Sequence, residues 1–324
     1  MSHAITLRAH GGVENLMWES VDVPPPGPGQ LLIRHTTIAV NFHDTYVRTG
    51  LYKTLPLPGI PGLEAAAVVE QSGAGVTDFA PGDRIVYTDT AYGAYAERRV
   101  VAAALALKIP DGIDDDAAAA LNIKGMTACV LLRKVTDIKP GTCILVHAGA
   151  GGMGQLLCSW AKHLGAFVIA TAGSPEKAAI AKARGADHVI LYREESFPES
   201  VKALTGGSGV DVVYDSVGKD TFAGSLESLD FLGHLVNFGQ SSGPVAPFSP
   251  SQLAGKSLTV TRPMLFHYIR DRAALNAVAE ETFKAVKSGI IRADISAAFP
   301  LREAGQAHTL LESRASTGSI VLRP

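Results

Sequence analysis

A regular alternation beginning near Cys143 constrains this chain more than any other feature: short apolar, β-branched runs are each followed by a stretch of helical periodicity. The runs cover residues 143–147, 167–171, 188–191, 210–215, 234–238 and 258–261. A strand covered by helices on both faces needs no polar alternation, so this is how successive βαβ units of a parallel sheet read. Six in a row make a complete doubly wound sheet of the dinucleotide-binding kind. Between the first two runs, Leu156, Leu157, Trp160, Ala161 and Leu164 recur on one helix face, and Gly165 stops the helix. Between the second and third, residues 175–184 read as a helix opened by Ser174 and closed by Gly185.

The first strand runs straight into His147-Ala148-Gly149-Ala150-Gly151-Gly152-Met153-Gly154, with Gly149, Gly151 and Gly154 in Gly-x-Gly-x-x-Gly spacing. A bare match to that pattern is weak. A strand before it and an amphipathic helix after it supply the context in which backbone and helix N-terminus can approach a pyrophosphate. The second strand then reports the nucleotide, because an NAD site usually places Asp or Glu about 20 residues after the first glycine to hold the ribose diol. Here the chain reads Thr171-Ala172-Gly173-Ser174-Pro175-Glu176-Lys177. A carboxylate at the strand end would repel a 2′-phosphate, whereas Ser174 and Lys177 can donate to it, so NADPH is the expected cofactor.

The region before about residue 120 is different: Pro-Gly pairs at 58–59, 61–62 and 81–82 and short strands near 31–35 and 66–70 mark turn-rich β structure. A helix over 272–287 and a strand over 319–322 follow the sixth parallel run, and both are expected to pack on this first domain. A net charge of -2 offers no basic excess for nucleic acid, and 47% hydrophobic residues exclude a disordered chain. No stretch approaches the roughly 20 apolar residues of a membrane span. Cys129, Cys143 and Cys158 each sit in an apolar run, as in a reducing compartment, and the N-terminus lacks a secretory pattern; a cytoplasmic location is expected.

Several further stretches carry a family resemblance over essentially the whole chain. They are Val40-Asn41-Phe42-His43-Asp44-Thr45-Tyr46-Val47-Arg48-Thr49-Gly50-Leu51-Tyr52, Gly93-Ala94-Tyr95-Ala96-Glu97, Lys124-Gly125-Met126-Thr127-Ala128, Asp211-Val212-Val213-Tyr214-Asp215-Ser216-Val217-Gly218, Phe238-Gly239-Gln240-Ser241-Ser242-Gly243 and Leu311-Glu312-Ser313-Arg314. The chain resembles the bacterial quinone oxidoreductases, the zinc-free branch of the medium-chain dehydrogenase/reductase superfamily related to zeta-crystallin. The resemblance implies an α/β protein: a Rossmann doubly wound parallel sheet over 123–264, plus a GroES-like β-barrel catalytic domain over 1–122 with 265–324. It also implies cofactor contacts from the Asn41–Tyr46 segment, Phe42 included, and from Thr127, Gly152, Met153, Gly173, Ser174 and Lys177. Further implied contacts are Tyr192 beside the adenine, Val217, Phe238, Gly239, Ser241, Ser242, the Met264 to His267 segment with Phe266, and Arg314. Relatives form homodimers through the last strand of the parallel sheet, here near 258–261. Gly149 and Met153 depart from the Ala and Val that relatives often carry.

The zinc-dependent relatives use a Cys in the segment matching Asn41 and a His-Glu pair where this chain has Leu63-Glu64. No cysteine occurs before Cys129, and no His-x-x-x-His or Cys-x-x-Cys pair occurs anywhere, so no metal is expected. An unactivated alcohol normally needs a Lewis acid, but a quinone or conjugated enone accepts hydride readily, and hydrogen-bond donors can meet its developing oxyanion. Asn41, Tyr46 and Tyr52 are the donors at hand, with the proton coming from Tyr52, Tyr46 or water. Tyr52 also matches a proton-donating tyrosine of related enoyl-thioester reductases. His43 suits packing or hydrogen bonding as well as function, Asp44 and Glu64 read as loop-orienting carboxylates, and Arg48 and Lys53 read as solvated charges. An NADPH:quinone oxidoreductase is thus expected. The alternatives are an enone or enoyl-thioester reductase on the same cofactor site, and, in another class, an NADPH-binding RNA-binding or structural protein of zeta-crystallin type.

Overall fold

Strands Cys143–Val146, Phe167–Ala172, His188–Leu191, Val210–Asp215, Leu229–Asn237 and Thr259–Thr261 pair in parallel, in the spatial order third, second, first, fourth, fifth, sixth. These positions come from a computed structural model that describes residues 2–324. Ile144, Leu145, Val146, Ile169, Val213, Tyr214, Leu235 and Val236 are all fully enclosed, which is why their strands carry no polar alternation. The helix Gly152–His163 buries Leu156, Leu157, Trp160 and Ala161, the face its periodicity predicts. The helix Pro175–Ala183 is capped by Ser174, whose side chain accepts from Lys177 N at 3.4 Å. The fifth strand starts earlier than its apolar run because Leu232, at φ 61°, breaks the alternation with Phe231 and Leu232 turned to solvent.

The other sheet is mainly antiparallel. Gln30–Val40 is its longest strand, flanked by Glu64–Ser72 and Ser319–Arg323, with Arg98–Ala102 also paired to it; Arg84–Thr88, Ala106–Lys108 and Ile295–Pro300 extend the edges. Ile33, Ile38, Val69, Ile85, Tyr87, Tyr95 and Leu322 form its core. A separate antiparallel pair joins Ser2–Leu7 to Leu16–Val21.

The chain divides into two compact units, Met1–Ile123 with Arg292–Pro324, and Lys124–Ile291. The return to the first unit therefore starts at Arg292, not at 265. The helix Arg272–Lys287 buries Leu275, Val278, Ala279, Thr282 and Ala285, and Arg133 reaches Glu281 on it at 3.2 Å, so it belongs with the parallel sheet. Amphipathic periodicity shows that this helix buries a face, but it carries no information on which core receives it.

Within the first unit, a buried polar chain fixes the helix Phe42–Thr49. Arg48, expected to be solvated, is 2% exposed: it donates to His308 Nδ1 at 3.3 Å, Gly11 O at 2.6 Å and Glu312 Oε1 at 2.5 Å. With Nδ1 accepting, the neutral imidazole carries its proton on Nε2 and donates to Tyr95 Oη at 3.0 Å. Tyr95 donates to Asp44 Oδ2 at 3.2 Å, and that oxygen also accepts from Asn41 N at 2.8 Å. Burial, reinforced by the Arg48 charge, pushes His308 down to about 3 and keeps it neutral. His35, enclosed between Ala96 O and Tyr87 Oη, is pushed down by burial to about 4.

Both histidines have folded values below the ordinary 6.5, so the unfolded chain takes up protons first as the pH drops. The stability in question is complete above pH 6.5 and is lost as the pH falls through 6.5 toward 4. Thermal melts should show Tm declining over that window; a Tm that stays level from pH 6.5 to 5 would contradict the neutral assignment of these buried imidazoles.

Candidate functional site

The glycine turn is built by close packing. Gly149 N donates to Thr171 O at 2.9 Å and Gly151 N to Ala148 O at 2.9 Å. A Cβ on Gly149 would lie 2.7 Å from the Ala170 Cβ, and one on Gly154 would lie 2.1 Å from Ala148 O. Gly151 is looser, since a Cβ there would stand 3.2 Å from Ala148 O, and the left-handed residue of the turn is Ala148, at φ 54°, not a glycine. Gly152 and Met153 open the helix Gly152–His163, whose N-terminus has no capping side chain and no acidic residue in its first turn. Its positive end is left to attract an external anion, the arrangement a pyrophosphate needs.

At the ends of the second and third strands, Tyr192 lies over Gly173: a methyl there would come within 2.8 Å of Tyr192 Oη. Tyr192 is otherwise 46% exposed, a ring available for stacking. Ser174 is committed to its own helix, accepting from Lys177 N and bonding the Glu176 carboxylate. Lys177 is half-buried, and its ammonium is held below the usual lysine value by burial and then by the charge of Arg193. Lys177 therefore has a second cation, Arg193, near enough to act on its charge, and no carboxylate stands at the end of the second strand. Arg193 is not singled out by the sequence pattern; its one signal is a basic residue directly after Tyr192 at a strand end.

A second polar chain joins the glycine turn to the far loops. Ala148 N donates to Thr171 Oγ1 at 3.2 Å, Thr171 to His147 Nδ1 at 3.1 Å, His147 Nε2 to Ser225 Oγ at 3.0 Å and Ser225 to Asp215 Oδ2 at 3.3 Å. Burial lowers His147 and keeps it neutral, so every link has one direction. Asp215, fully enclosed, receives Val217 N at 2.8 Å and Gly218 N at 3.0 Å. Phe238 N donates to Asp215 O at 2.9 Å, Ser241 N to Ser216 O at 3.1 Å, and Ser242 N to Val217 O at 2.9 Å. Val217, Phe238, Gly239, Ser241 and Ser242 thus form one interlocked pair of loops, braced by Arg262, which donates to Asn237 O at 3.0 Å and Gly239 O at 2.9 Å. Thr127 lies on the helix Asp115–Val130, and Met264 and Phe266 lie at the short helix Leu265–Tyr268, all on this same unit.

The remaining predicted residues are on the first unit. Asn41 precedes the helix Phe42–Thr49, and its Nδ2 donates to Glu64 Oε1 at 2.8 Å. Glu64 is completely buried, and its other oxygen accepts from Ile123 N at 2.6 Å. A carboxylate accepts only, so Asn41 must present its amide nitrogen there. Tyr46 and Tyr52 meet edge to face with ring centroids 5.2 Å apart, Phe42 lies 6.2 Å from Tyr46, and His43 lies 5.2 Å from Tyr52. Burial lowers His43 to about 4. Arg314 is exposed just beyond the helix Ala304–Glu312, at φ 57°. Among the described residues no group of three or more His, Cys, Asp and Glu side chains is arranged to hold a metal ion, and no helix is long and apolar enough to cross a membrane.

Residues 27–111 match the alcohol dehydrogenase GroES-like domain, and residues 152–281 match the zinc-binding dehydrogenase family. The chain is 44% identical to a quinone oxidoreductase of Pseudomonas aeruginosa, covering all of both chains. The chain belongs to the quinone oxidoreductase family. It is an oxidoreductase of the medium-chain dehydrogenase/reductase superfamily, with a Rossmann-type sheet and a GroES-like domain as the resemblance implied. It is also 44% identical to a 2-haloacrylate reductase of a Burkholderia species, over 100% of this chain and 99% of that one. The crystal structure of the Escherichia coli quinone oxidoreductase complexed with NADPH superimposes with a TM-score of 0.96 at 43% identity, over 99% of this chain and all of that one. At the positions where zinc-dependent relatives place ligands, the Asn41 amide donates to the Glu64 carboxylate.

In this family member the three glycines of the turn have separable duties. Gly154→Ala forces a methyl against Ala148 O and should cost about 1–3 kcal/mol of stability, read as a lower Tm. Gly151→Ala has more room and should leave Tm nearly unchanged while weakening dinucleotide binding. Equal losses of Tm in both variants would show that this packing argument is wrong.

Proposed function

We propose that this protein is an NADPH:quinone oxidoreductase that passes hydride to a quinone without a metal. The observation that carries the reading is the cationic corner of Lys177 and Arg193 beside Gly173 and Tyr192. Two like charges with an electrostatic cost to their proximity are relieved by a dianionic 2′-phosphate, which NADH lacks. Lys177→Glu and Arg193→Glu should each raise the KM for NADPH about tenfold or more, with little effect on NADH. Equal affinity of the unmodified protein for both nucleotides would overturn the cofactor assignment.

NADPH, when bound, supplies the hydride. Gly152 and Met153 at the helix start would hold the pyrophosphate and Tyr192 the adenine, and the Val217 and Gly239–Ser242 loops, with Thr127, Met264 and Phe266, would hold the rest of the cofactor on that unit; Arg314 is assigned to the same cofactor. Asn41 is held by Glu64 so that its amide nitrogen is fixed in direction, leaving its second N–H to meet the developing oxyanion. Tyr46 and Tyr52 share the aromatic cluster with Phe42, and a phenol of that pair, or water, delivers the proton. The 44% identity to a 2-haloacrylate reductase favours conjugated acids and enones as a second substrate class. NADPH oxidation followed with 1,4-benzoquinone, 2-chloroacrylate and a crotonyl thioester decides: fastest turnover on benzoquinone is expected, and turnover confined to either of the others would transfer the assignment.

The protein is placed in the cytoplasm, a reading supported by buried thiols at Cys129 and Cys158 that form no disulfide. A homodimer is proposed through Thr259–Thr261, the terminal strand of the parallel sheet, which is bonded on one side to Leu229–Asn237. Light scattering should report twice the chain mass, and a monomer at micromolar concentration would exclude this pairing.

A further inference from the structure

Tyr92 stands in an unusual backbone state. It is 3% exposed, and its φ of 64° lies in the left-handed region that a bulky side chain rarely adopts. Such a conformation persists only where the surroundings over-determine it, and here they do. Tyr92 N donates to Asp89 O at 3.2 Å, Arg99 donates to Tyr92 O, and the same guanidinium is paired to Asp89 Oδ2 at 2.8 Å. The strained turn delivers the Tyr92 hydroxyl to one point, where it meets His43 Nε2 at 3.0 Å and the Thr54 hydroxyl.

Those two partners flank Tyr52. His43 is on the helix Phe42–Thr49 with its ring edge to face against Tyr52, and Thr54 is two residues beyond Tyr52 on the segment that leaves that helix. His43 is neutral, so its Nε2 can accept from Tyr92, and the Tyr92 oxygen then accepts from Thr54. One hydroxyl thereby ties the segment carrying Tyr52 to the helix carrying Asn41, His43 and Tyr46. Tyr52 N adds a single backbone bond to Tyr46 O at 3.0 Å, while Leu51, Lys53 and Thr54 are exposed and supply little packing.

We infer that Tyr92 is a positioning residue for the reduction: through His43 and Thr54 it sets the height and tilt of the Tyr52 ring. This rests on the reading of Tyr52 as a proton-delivering residue. Tyr92→Phe keeps the ring and the backbone state while deleting the shared hydroxyl. Thr54→Val, at an exposed site of equal size, deletes one of its bonds and carries no risk to folding.

The test is a double-mutant cycle with Tyr52→Phe, read as kcat and KM for NADPH and for 1,4-benzoquinone, alongside Tm. Tyr92→Phe should lower kcat about tenfold, since a small misplacement of a reacting group has effects of that size or larger. Thr54→Val should lower it less, with the KM for NADPH and Tm unchanged in both. In the Tyr52→Phe background both effects should vanish. A kcat unchanged by Tyr92→Phe, or reduced equally with and without the Tyr52 hydroxyl, would overturn the inference while leaving the Tyr52 assignment standing if Tyr52→Phe is itself impaired. A fully active Tyr52→Phe would instead overturn that assignment, and the positioning role with it.

Discussion

A carboxylate removed from water must be fully met by donors or it destabilises the fold by several kcal/mol. Asp44 and Glu64, both completely buried, impose that condition on the first unit. Asp44 accepts at Oδ2 from Asn41 N and from Tyr95, and Tyr95 is in turn held by His308, which Arg48 contacts. Glu64 is met by the Asn41 side chain and Ile123 N. Asn41 is the shared member of both sets, so the start of the helix Phe42–Thr49 is pinned at backbone and side chain together. The direction in which Phe42 and Tyr46 project follows from that pinning. Replacing Arg48 would leave Asp44 intact but remove the charge that fixes the Nδ1 side of His308, which is why a residue outside the reacting cluster still bears on its geometry.

The second unit solves a different problem, that of meeting a long polyanion with few cations. On the proposed reading its pyrophosphate end would rely on an uncapped helix N-terminus, and its adenosine end on Lys177 and Arg193. The loops at the other end are held by a buried acid, Asp215, through backbone N–H groups, with Arg262 bracing from outside. The chain from Ala148 through Thr171, His147 and Ser225 to Asp215 makes these ends one mechanical piece. A rigid cradle keeps the ordering cost of binding low, because little of the protein has to be fixed when the ligand arrives.

Much of this was legible in the chain itself. The six parallel strands announced themselves because burial on both faces leaves nearly unbroken apolar runs, and the glycine turn was recognisable because its spacing sat between a strand and a helix. The absence of an acidic residue near the strand end before Ser174 was equally plain. Features decided by long-range partners were not. Arg48 looks like a surface charge on an amphipathic helix until His308 and Glu312, more than 250 residues away, enclose it. Tyr92 gave no local sign of its φ, since left-handed residues are usually marked by Gly or Asn and this one is held by Arg99 instead. Arg193 mattered only once the second and third strands were paired, and the Ser174 hydroxyl also caps the next helix.

The fixed amide at Asn41 also bears on which substrates one site can serve. An N–H oriented by a buried carboxylate is a modest electrophile, far weaker than a cation, so it suits acceptors whose own conjugation spreads the incoming charge. In a quinone and in a 2-haloacrylate alike, hydride adds at one end of a conjugated system while negative charge gathers on an oxygen at the other. Relatives named for the two reactions each share 44% identity with this chain. On the proposed assignment, discrimination between them would fall to the aromatic cluster of Tyr46 and Tyr52, since a flat quinone ring gains stacking that a three-carbon acid does not.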